Sequence, residues 1–357
     1  MSNAKWMLYG AYGQTGMLIA EEAVRRGQRP LLAGRSKERL VPLAERLGLE
    51  WLAVERDTEE FRQAVADVDL VFQAAGPFGL TSEPVIQACL AGGTHYADIA
   101  NEIPIFHMAQ KYDEEARQRG ICLMTGAGFG VIAADCLAKY VADQVPQATE
   151  LEVAIVIYSS VTSAGATKSG LDMLREGGFV WRDGKLVQQR IGAEVKRVRF
   201  PDKERTLIPA PFGELEALHM TTGIPNITVY SSALPSDAVT RTILPVLGRA
   251  LNIDAFRRLV EGTIDRQAQR GGEQKHVETG KSYIWAQARN QAGNQAQAWL
   301  EMGEGYLFSA AASVRAAEQI LARRPVGTIT PAQAFGTEIV LEIPGTQRYS
   351  SLPSEVR

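Results

Sequence analysis

The sequence predicts an α/β protein: a doubly wound parallel sheet, followed by a second α+β domain whose sheet is mostly antiparallel. Three observations lead to this prediction. The chain has 357 residues, more than a single hydrophobic core normally organises. Its first 125 residues alternate short apolar segments with amphipathic segments of helical length, which is typical of βαβ units. Beyond residue 150 the apolar residues alternate with polar ones, as in half-buried antiparallel strands.

The parallel sheet is predicted from short apolar runs, each followed by a segment with a helical apolar stripe. The predicted strands are Trp6–Tyr9, Arg29–Ala33, Trp51–Val54, Leu70–Ala74, His95–Ile99 and Ile121–Thr125. The predicted helices are Thr15–Arg26, Lys37–Leu47, Glu59–Ala66, Pro84–Ala91, Ile105–Arg119 and Ile132–Asp143. The alternation through Thr125 predicts a first domain over residues 1–130, and the helix Ile132–Asp143 follows it.

The second half of the chain predicts a central domain over residues 131–303. Its predicted strands are Leu151–Tyr158, Phe179–Trp181, Glu194–Phe200, Asn226–Ser231, Ser282–Arg289 and Gln295–Met302. Helices are predicted over Val239–Leu251, Ala255–Arg266 and Tyr306–Arg323. A Gly-containing loop joins the last two strands as a hairpin. Residues 304–357 are expected to form a helix and tail that return to the first domain.

Composition excludes several classes of protein. The formal net charge is −3 and no long block of one sign occurs, so neither nucleic acid nor an anionic membrane surface is predicted as a partner. Apolar runs are too short for a membrane span, and no signal peptide is recognisable. Three widely spaced cysteines predict buried free thiols in a reducing cytoplasm. The four histidines lack metal-ligand spacing, so no metal site is predicted.

A glycine motif follows the first predicted strand. Gly10, Gly13 and Gly16 form GxxGxxG at the start of a helix, with Tyr12, Gln14 and Thr15 between them. Glycines here permit a tight turn, close approach of the backbone to a pyrophosphate and close packing of helix on sheet. The helix N-terminus then binds the phosphates. The motif predicts a dinucleotide-binding Rossmann domain.

The end of the second strand predicts NADP rather than NAD. An NAD enzyme usually has an acidic residue there, and this chain has Arg35 followed by Ser36. A guanidinium and a hydroxyl suit a 2′-phosphate, which an acid would repel. Ser36 is also suited to capping the next helix, and the two roles are compatible. Asp57, past the third strand, either faces the adenine or is a solvated loop residue.

Small residues end the fourth strand. Ala75 and Gly76 precede Pro77 and Phe78 at the edge of the sheet where ligands of such folds lie. We expect the ribose and nicotinamide to pass close to the backbone there.

Four stretches resemble the saccharopine dehydrogenase-like reductases, a family that includes trans-acting enoyl reductases. They are GAYGQTG with AGRS, AAGPFG with the later ACLAGGTHYADIANE, TGAGFGVIAADCLA and GTITPAQAFG. The resemblance implies an NADP-binding Rossmann domain, a central α+β domain that binds substrate and often forms a homodimer, and a C-terminal segment packed on the first domain. It also implies reduction of a C=N or C=C bond in a small molecule or lipid.

One stretch departs from the family pattern. Related proteins tend to have Gly-Phe-Asp-x-x-Pro-Ser-Asp where this chain has Gly128-Phe129-Gly130-Val131-Ile132-Ala133-Ala134-Asp135. The first acid and the proline are missing, which puts any role assigned to that loop in doubt.

Candidate catalytic residues follow the fifth strand. Tyr96, Asp98 and Glu102 lie on the expected cofactor side and could donate a proton, as could the preceding His95. The alternative to a proton-donor role is a structural one, in which Asp98 caps a turn and Tyr96 only packs beneath the nicotinamide. Lys168 either binds a substrate carboxylate or donates a proton, or it is a solvated lysine.

Other polar residues give weaker signals. Asp135, within a helix, is a candidate of the same kind or a buried hydrogen-bond acceptor. His219 and His276 have no flanking pattern and are expected to be surface or packing residues.

Two classes of function fit the sequence, besides a Rossmann enzyme without net redox turnover. The first is an NADP-dependent reductase with a small-molecule or lipid substrate. The second is a non-catalytic NADP-binding regulator or sensor, which the altered loop favours. The large second domain favours the reductase.

Overall fold

A computed structural model of the chain describes residues 5–159, 167, 170–171, 174–175, 177–192, 194–232, 238–270 and 280–352. The chain divides into two compact units. The first consists of Met1–Ile132 and Tyr306–Pro344, and the second of Ala133–Gly305 and Gly345–Arg357. Each unit is therefore built from two separate stretches of the chain.

Seven of the described strands form a parallel sheet in the first unit. With all strands numbered along the chain, their order is β15-β6-β5-β4-β1-β2-β3. Their bounds are β1 Trp6–Tyr9, β2 Leu31–Gly34, β3 Trp51–Ala53, β4 Leu70–Gln73, β5 His95–Asp98, β6 Cys122–Met124 and β15 Gly327–Thr328. The strand order reverses between β1 and β4, which confirms the predicted doubly wound sheet.

Helices connect these strands. They are α1 Gln14–Arg25, α2 Lys37–Leu47, α3 Glu59–Ala66, α4 Phe78–Gly92, α5 Ile103–Lys111, α6 Asp113–Arg119, α7 Phe129–Ala142, α11 Gly305–Arg323 and α12 Pro331–Phe335, with a 3-10 turn at Ile339–Glu342. The helix predicted over Ile105–Arg119 is wrong as one helix, because Tyr112 leaves helical geometry. The Tyr112 hydroxyl donates to Glu83 at 2.8 Å and accepts from Gln87 at 3.0 Å, which fixes the break against α4.

The core of the first unit is built by the strands. Every residue of β1, β4 and β5 is buried, as expected for strands covered on both faces. The three cysteines, Cys89, Cys122 and Cys136, are buried and unbridged, as predicted.

Nine of the described strands form the sheet of the second unit. Their order is β10-β11-β12-β7-β13-β14-β16, with β8 paired to β12 and β9 to β8. Their bounds are β7 Glu150–Val156, β8 Gly178–Arg182, β9 Lys185–Gln189, β10 Lys196–Arg199, β11 Glu204–Pro209, β12 Asn226–Ser231, β13 Ser282–Arg289, β14 Gln295–Met302 and β16 Gln347–Tyr349. Only β7 and β12 pair in parallel among these described strands, so the mostly antiparallel sheet is confirmed.

The helices described in the second unit are α8 Glu214–Thr222, α9 Ala238–Ala250 and α10 Asp254–Arg270. Where the chain is described, no helix combines the length and apolar character needed to cross a bilayer.

Candidate cofactor site and active site

The turn after β1 is shaped by its glycines. Gly10 has φ +88°, and a Cβ atom on it would lie 2.6 Å from the backbone nitrogen of Ala75. A Cβ on Gly16 would lie 2.3 Å from the carbonyl oxygen of Gly10. Both distances are below contact, so these positions accept only glycine without a shift of the backbone. The turn therefore packs closely against the residues that follow β4.

Helix α1 begins at this turn without a side-chain cap. Gly13 is its N-cap residue and provides no side-chain cap, and no acidic residue lies in the first turn. Tyr12, Gln14 and Thr15 are half-buried beside it. An uncapped helix start with positive dipole character fits an anion, so the turn fits the pyrophosphate of a dinucleotide.

The end of β2 is covered by Tyr12. A Cβ on Gly34 would lie 2.6 Å from the Tyr12 ring, and the Tyr12 hydroxyl accepts the Arg35 N–H at 3.3 Å. The Arg39 guanidinium lies 4.5 Å from the centre of the same ring and donates to the Tyr12 carbonyl at 3.0 Å. Arg35 and Arg39 are both exposed. Two cations therefore flank the position where an NAD enzyme carries an acid.

Ser36 occupies the N-cap position of α2, but its hydroxyl makes no cap. It donates to Glu38 at 2.9 Å. This contact and the backbone amide of Glu38 lower the pKa of the Glu38 carboxyl, the backbone contact contributing most.

Arg56 and Asp57 follow β3 in the neighbouring loop. The Arg56 Nε atom lies 3.7 Å from the Asp57 carboxylate, whose side chain is 67% exposed. Arg56 Nε is buried and has no hydrogen-bond partner among the described residues.

The end of β4 combines small residues with the start of a second uncapped helix. Gly76 and Pro77, joined by a cis peptide bond, are exposed, and Ala75 and Phe78 are half-buried. Helix α4 starts at Phe78 with neither a side-chain cap nor an acid in its first turn. Gly76 therefore leaves no side chain at a point where the ribose and nicotinamide are predicted to pass.

The Tyr96 and Asp98 side chains are fully buried and bonded to each other. The Tyr96 hydroxyl donates to Asp98 Oδ2 at 2.7 Å, and Asp98 Oδ1 accepts the N–H groups of Ala100 and Gly126, both at 2.9 Å. Burial raises the pKa of Asp98 to about 6, although these hydrogen bonds oppose the shift. Burial likewise raises the pKa of Tyr96 far above its ordinary range. The pair ties the β5–α5 loop to the β6–α7 loop.

Glu102 and His95 lie at opposite ends of this region. Glu102 is half-buried at the N-cap of α5, and its carboxylate accepts the Asn101 N–H at 2.9 Å. His95 begins β5, at the edge of the sheet opposite the glycine turn, and its Nδ1 accepts the Cys122 N–H at 2.9 Å. Burial, assisted by Arg324, lowers the pKa of His95 to about 4. His95 is therefore held neutral and far from the predicted cofactor edge.

The altered loop after β6 is closely packed within the first unit. A Cβ on Gly128 would lie 3.1 Å from Ser309 Oγ, and the Phe129 ring meets Phe308 edge-on at 5.4 Å. Ser313 donates to the Ala127 carbonyl at 3.2 Å.

The remaining candidates lie elsewhere. Asp135 is buried in α7. His219 stacks on Trp181 at 3.7 Å, with Nδ1 3.1 Å from the Ile224 carbonyl, which agrees with a packing role. Lys168 and His276 lie outside the described residues.

Sequence reasoning missed Arg39 and Arg56. Arg39 follows Arg35 by one helical turn, which was a usable signal. Arg56 carried no signal beyond its place after a strand.

The fold and the glycine turn define the first unit as a dinucleotide-binding α/β domain. Residues 6–124 match the family model of the saccharopine dehydrogenase NADP binding domain. This span runs from β1 to the end of β6. This match confirms, over these residues, the predicted resemblance to the saccharopine dehydrogenase-like reductases, and it confirms NADP as the predicted cofactor.

Curated relatives match part of the chain. A bovine saccharopine dehydrogenase-like oxidoreductase is 31% identical over 150 residues, which cover 36% of this chain and 35% of the relative. A trans-acting enoyl reductase of Mycobacterium ulcerans is 29% identical over 138 residues, covering 36% and 33%. The chain thus matches about a third of the length of these relatives.

A solved structure extends the likeness to the whole chain. The apo saccharopine dehydrogenase (L-Glu forming) of Saccharomyces cerevisiae aligns with a TM-score of 0.63 over 95% of this chain and 96% of its own. The sequences are 12% identical, so this likeness shows the fold alone.

Proposed function

We propose that the chain is an NADP-dependent oxidoreductase that transfers a hydride between NADPH and a C=N or C=C bond of a small molecule or lipid. The observation that carries the proposal is the end of β2, where the exposed guanidiniums of Arg35 and Arg39 stand beside an uncapped glycine turn. A cationic site next to a helix N-terminus suits a dinucleotide with a 2′-phosphate.

The cofactor contacts follow from these positions. The backbone around Gly10, Gly13 and Gly16 would hold the pyrophosphate, while Arg35 and Ser36 would bind the 2′-phosphate. The exposed backbone from Ala75 to Phe78 would lie along the ribose and nicotinamide. When bound, NADPH supplies the hydride.

The solvent exposure of the candidate side chains distinguishes which of them could exchange a proton with a substrate. Glu102 is half-buried, whereas Tyr96 and Asp98 are fully buried with their polar atoms in mutual or backbone hydrogen bonds. We therefore propose Glu102 as the residue that holds or delivers a proton, with the Tyr96–Asp98 pair positioning the loops on either side. The roles first expected for Lys168 and Asp57 stay predictions.

The test measures NADPH oxidation by absorbance against two panels, imines formed from amines with keto acids, and enoyl thioesters. Oxidation in one panel names the substrate class, and Glu102→Gln should lower kcat at least tenfold if Glu102 transfers the proton. Glu114→Gln, on the exposed surface of α6, is the matched control. Tight NADPH binding without oxidation in either panel would favour the non-catalytic regulator instead.

We also propose a cytoplasmic homodimer, on the basis of the family resemblance. Light scattering on the eluting protein tests the assembly, with twice the mass of one chain as the expected result and the mass of one chain as the contrary one.

A further inference from the structure

We infer that Arg56 is a second ligand of the cofactor's 2′-phosphate and the residue that chiefly sets the preference for NADP over NAD. This inference rests on the proposed NADP-dependent function. It assigns the preference to a residue beyond β3, in addition to Arg35 at the end of β2.

Arg56 lies in the loop beside Arg35. The Val54 N–H donates to the Gly34 carbonyl at 2.9 Å, so the chain leaving β3 runs alongside the end of β2. Arg35 follows Gly34 directly, and Arg56 follows Val54 by two residues. Both loops lie at the carboxyl edge of the sheet, where nucleotides bind in such folds.

The Arg56 guanidinium is only weakly engaged by the described protein residues. Its Nε atom is buried, and no described residue accepts a hydrogen bond from it. The Asp57 carboxylate, at 3.7 Å, is beyond hydrogen-bond distance and mostly exposed, so it compensates the charge weakly. An unpaired buried donor is costly, and a phosphate oxygen is a strong acceptor for a guanidinium.

The two loops share an electrostatic environment. Burial raises the pKa of the Tyr9 hydroxyl, while the charges of Arg56 and then Arg35 oppose that shift. Both guanidiniums are therefore near enough to influence the same hydroxyl at the end of β1, as expected of two residues that bind one phosphate.

Burial explains why Arg56 should contribute more than its neighbours. The Arg56 side chain is 22% exposed, whereas Arg35 and Arg39 are exposed, and Arg39 is also engaged with Tyr12. Water and salt screen an exposed charge far more than a buried one. The buried guanidinium thus interacts more strongly with the same phosphate.

The test uses the full chain and two probes that differ only in the 2′-phosphate, 2′,5′-ADP and 5′-AMP. Calorimetry gives the ratio of their dissociation constants for the wild type and for Arg56→Gln, Arg56→Lys, Arg35→Gln and Arg62→Gln. Arg62 is the matched control, because it lies on α3 in an exposed pair with Glu59.

We expect Arg56→Gln to reduce the preference for 2′,5′-ADP by about tenfold or more, since a charge-assisted hydrogen bond is worth about that factor. Arg35→Gln should reduce it less, and Arg62→Gln should not change it. Arg56→Lys keeps the charge but loses Nε, so it should lower the preference to an intermediate value. Binding of 5′-AMP should be unchanged throughout, which also reports that each variant is folded.

Three results would overturn the inference: an unchanged ratio in Arg56→Gln, a larger loss in Arg35→Gln, or an unchanged ratio in Arg56→Lys. The lysine variant decides the matter alone if the glutamine variant does not fold. A wild type without any preference for 2′,5′-ADP would instead contradict the proposed NADP-dependent function.

Discussion

At the scale of single residues, Asp98 has an unusually high pKa for a carboxyl with three hydrogen-bond donors. It is a fully buried carboxyl that accepts one hydroxyl and two backbone N–H groups. Burial outweighs the effect of these three donors, so the pKa of Asp98 lies at about 6 rather than the ordinary 3.8. Asp98 thus links two loops, but its ionised form destabilises the folded state.

This cost predicts a specific dependence of stability on pH. The native state binds the Asp98 proton more tightly than the unfolded state, so the free energy of unfolding falls as pH rises from about 4 to about 6. The shift of about two units corresponds to about 3 kcal/mol, an order-of-magnitude figure. Asp98→Asn should lack this component while its amide oxygen still accepts both N–H groups.

Urea unfolding of both proteins at pH 4.5 and 7 measures this effect. We expect the wild type to lose more stability than Asp98→Asn between the two values. Equal changes in both proteins would show that Asp98 does not titrate in this range.

Gly16 offers a second prediction at this scale. Gly16→Ala places a Cβ 2.3 Å from the Gly10 carbonyl oxygen, so α1 must move away from the turn. We expect a loss of about 1–3 kcal/mol in stability and at least tenfold weaker NADPH binding. Gly303→Ala is the control, since nothing lies within 4 Å of its Cβ and it lies in the second unit, outside the predicted cofactor contacts. Fluorescence titration and thermal melting measure both quantities, and equal behaviour of the two variants would refute the packing argument.

At the scale of elements, the GTITPAQAFG motif has a structural explanation. Gly327 and Thr328 form β15 beside β6, and Thr330 opens α12 with a capping box. Thr330 Oγ1 accepts the Gln333 N–H at 3.3 Å, and Gln333 Oε1 accepts the Thr330 N–H at 3.1 Å. The motif therefore closes one edge of the sheet and caps a short helix.

The capping box predicts the effect of two substitutions. Thr330→Ala removes the side-chain acceptor from a buried cap and should lower the free energy of unfolding by about 1–2 kcal/mol. Thr330→Ser retains the hydroxyl and should lose clearly less. Denaturant unfolding of the three proteins measures this; the same loss in serine and alanine would assign it to the missing methyl group rather than to the cap.

Elements with strong local signals could be predicted from sequence. Six of the seven strands described in the first sheet were predicted, because buried parallel strands are continuous apolar runs. The seventh, β15, is only Gly327–Thr328 and has no apolar run. The β8–β9 hairpin was missed although Asp183-Gly184 marks its turn, with φ of +49° and +71°. Its second strand is mostly exposed, so the apolar pattern is weak.

Other boundaries depend on tertiary contacts. Helix α4 starts at Phe78, six residues before the predicted start at Pro84. The sequence suggests a start at Pro84 because proline is common in the first turn of a helix, but here Pro84 lies inside the helix. Within the candidate site, the glycine turn was predictable from spacing. The burial of Tyr96 and Asp98 and the unpaired Nε of Arg56 depend on neighbours far along the chain, and no local pattern encodes them.

At the scale of the whole molecule, the first unit is assembled from two distant segments. The Arg26 guanidinium donates twice to the Glu318 carboxylate, at 2.9 and 2.6 Å, and joins α1 to α11. Both side chains are largely buried, and Arg315 adds a third contact to Glu318 at 3.1 Å. A bidentate, shielded pair of this kind is stronger than a surface ion pair.

This junction predicts that Glu318→Gln lowers the free energy of unfolding by about 1–3 kcal/mol, because two guanidiniums lose their shielded partner. Glu115→Gln breaks an exposed pair with Arg119, at 3.0 Å, and should change it by less than about 0.5 kcal/mol. Denaturant unfolding compares the two; a similar small change in both would show that the junction adds nothing to stability.

The discontinuous first unit has a consequence for how the protein is made on the ribosome. The Thr328 N–H bonds the Asp113 carboxylate, a residue 215 positions earlier in the chain. At about 5–20 residues per second, translation needs about 10–40 s to deliver that partner. During this interval the outer edge of β6 is open to pairing with another nascent chain, so we expect aggregation in cells to increase with the density of ribosomes on the message.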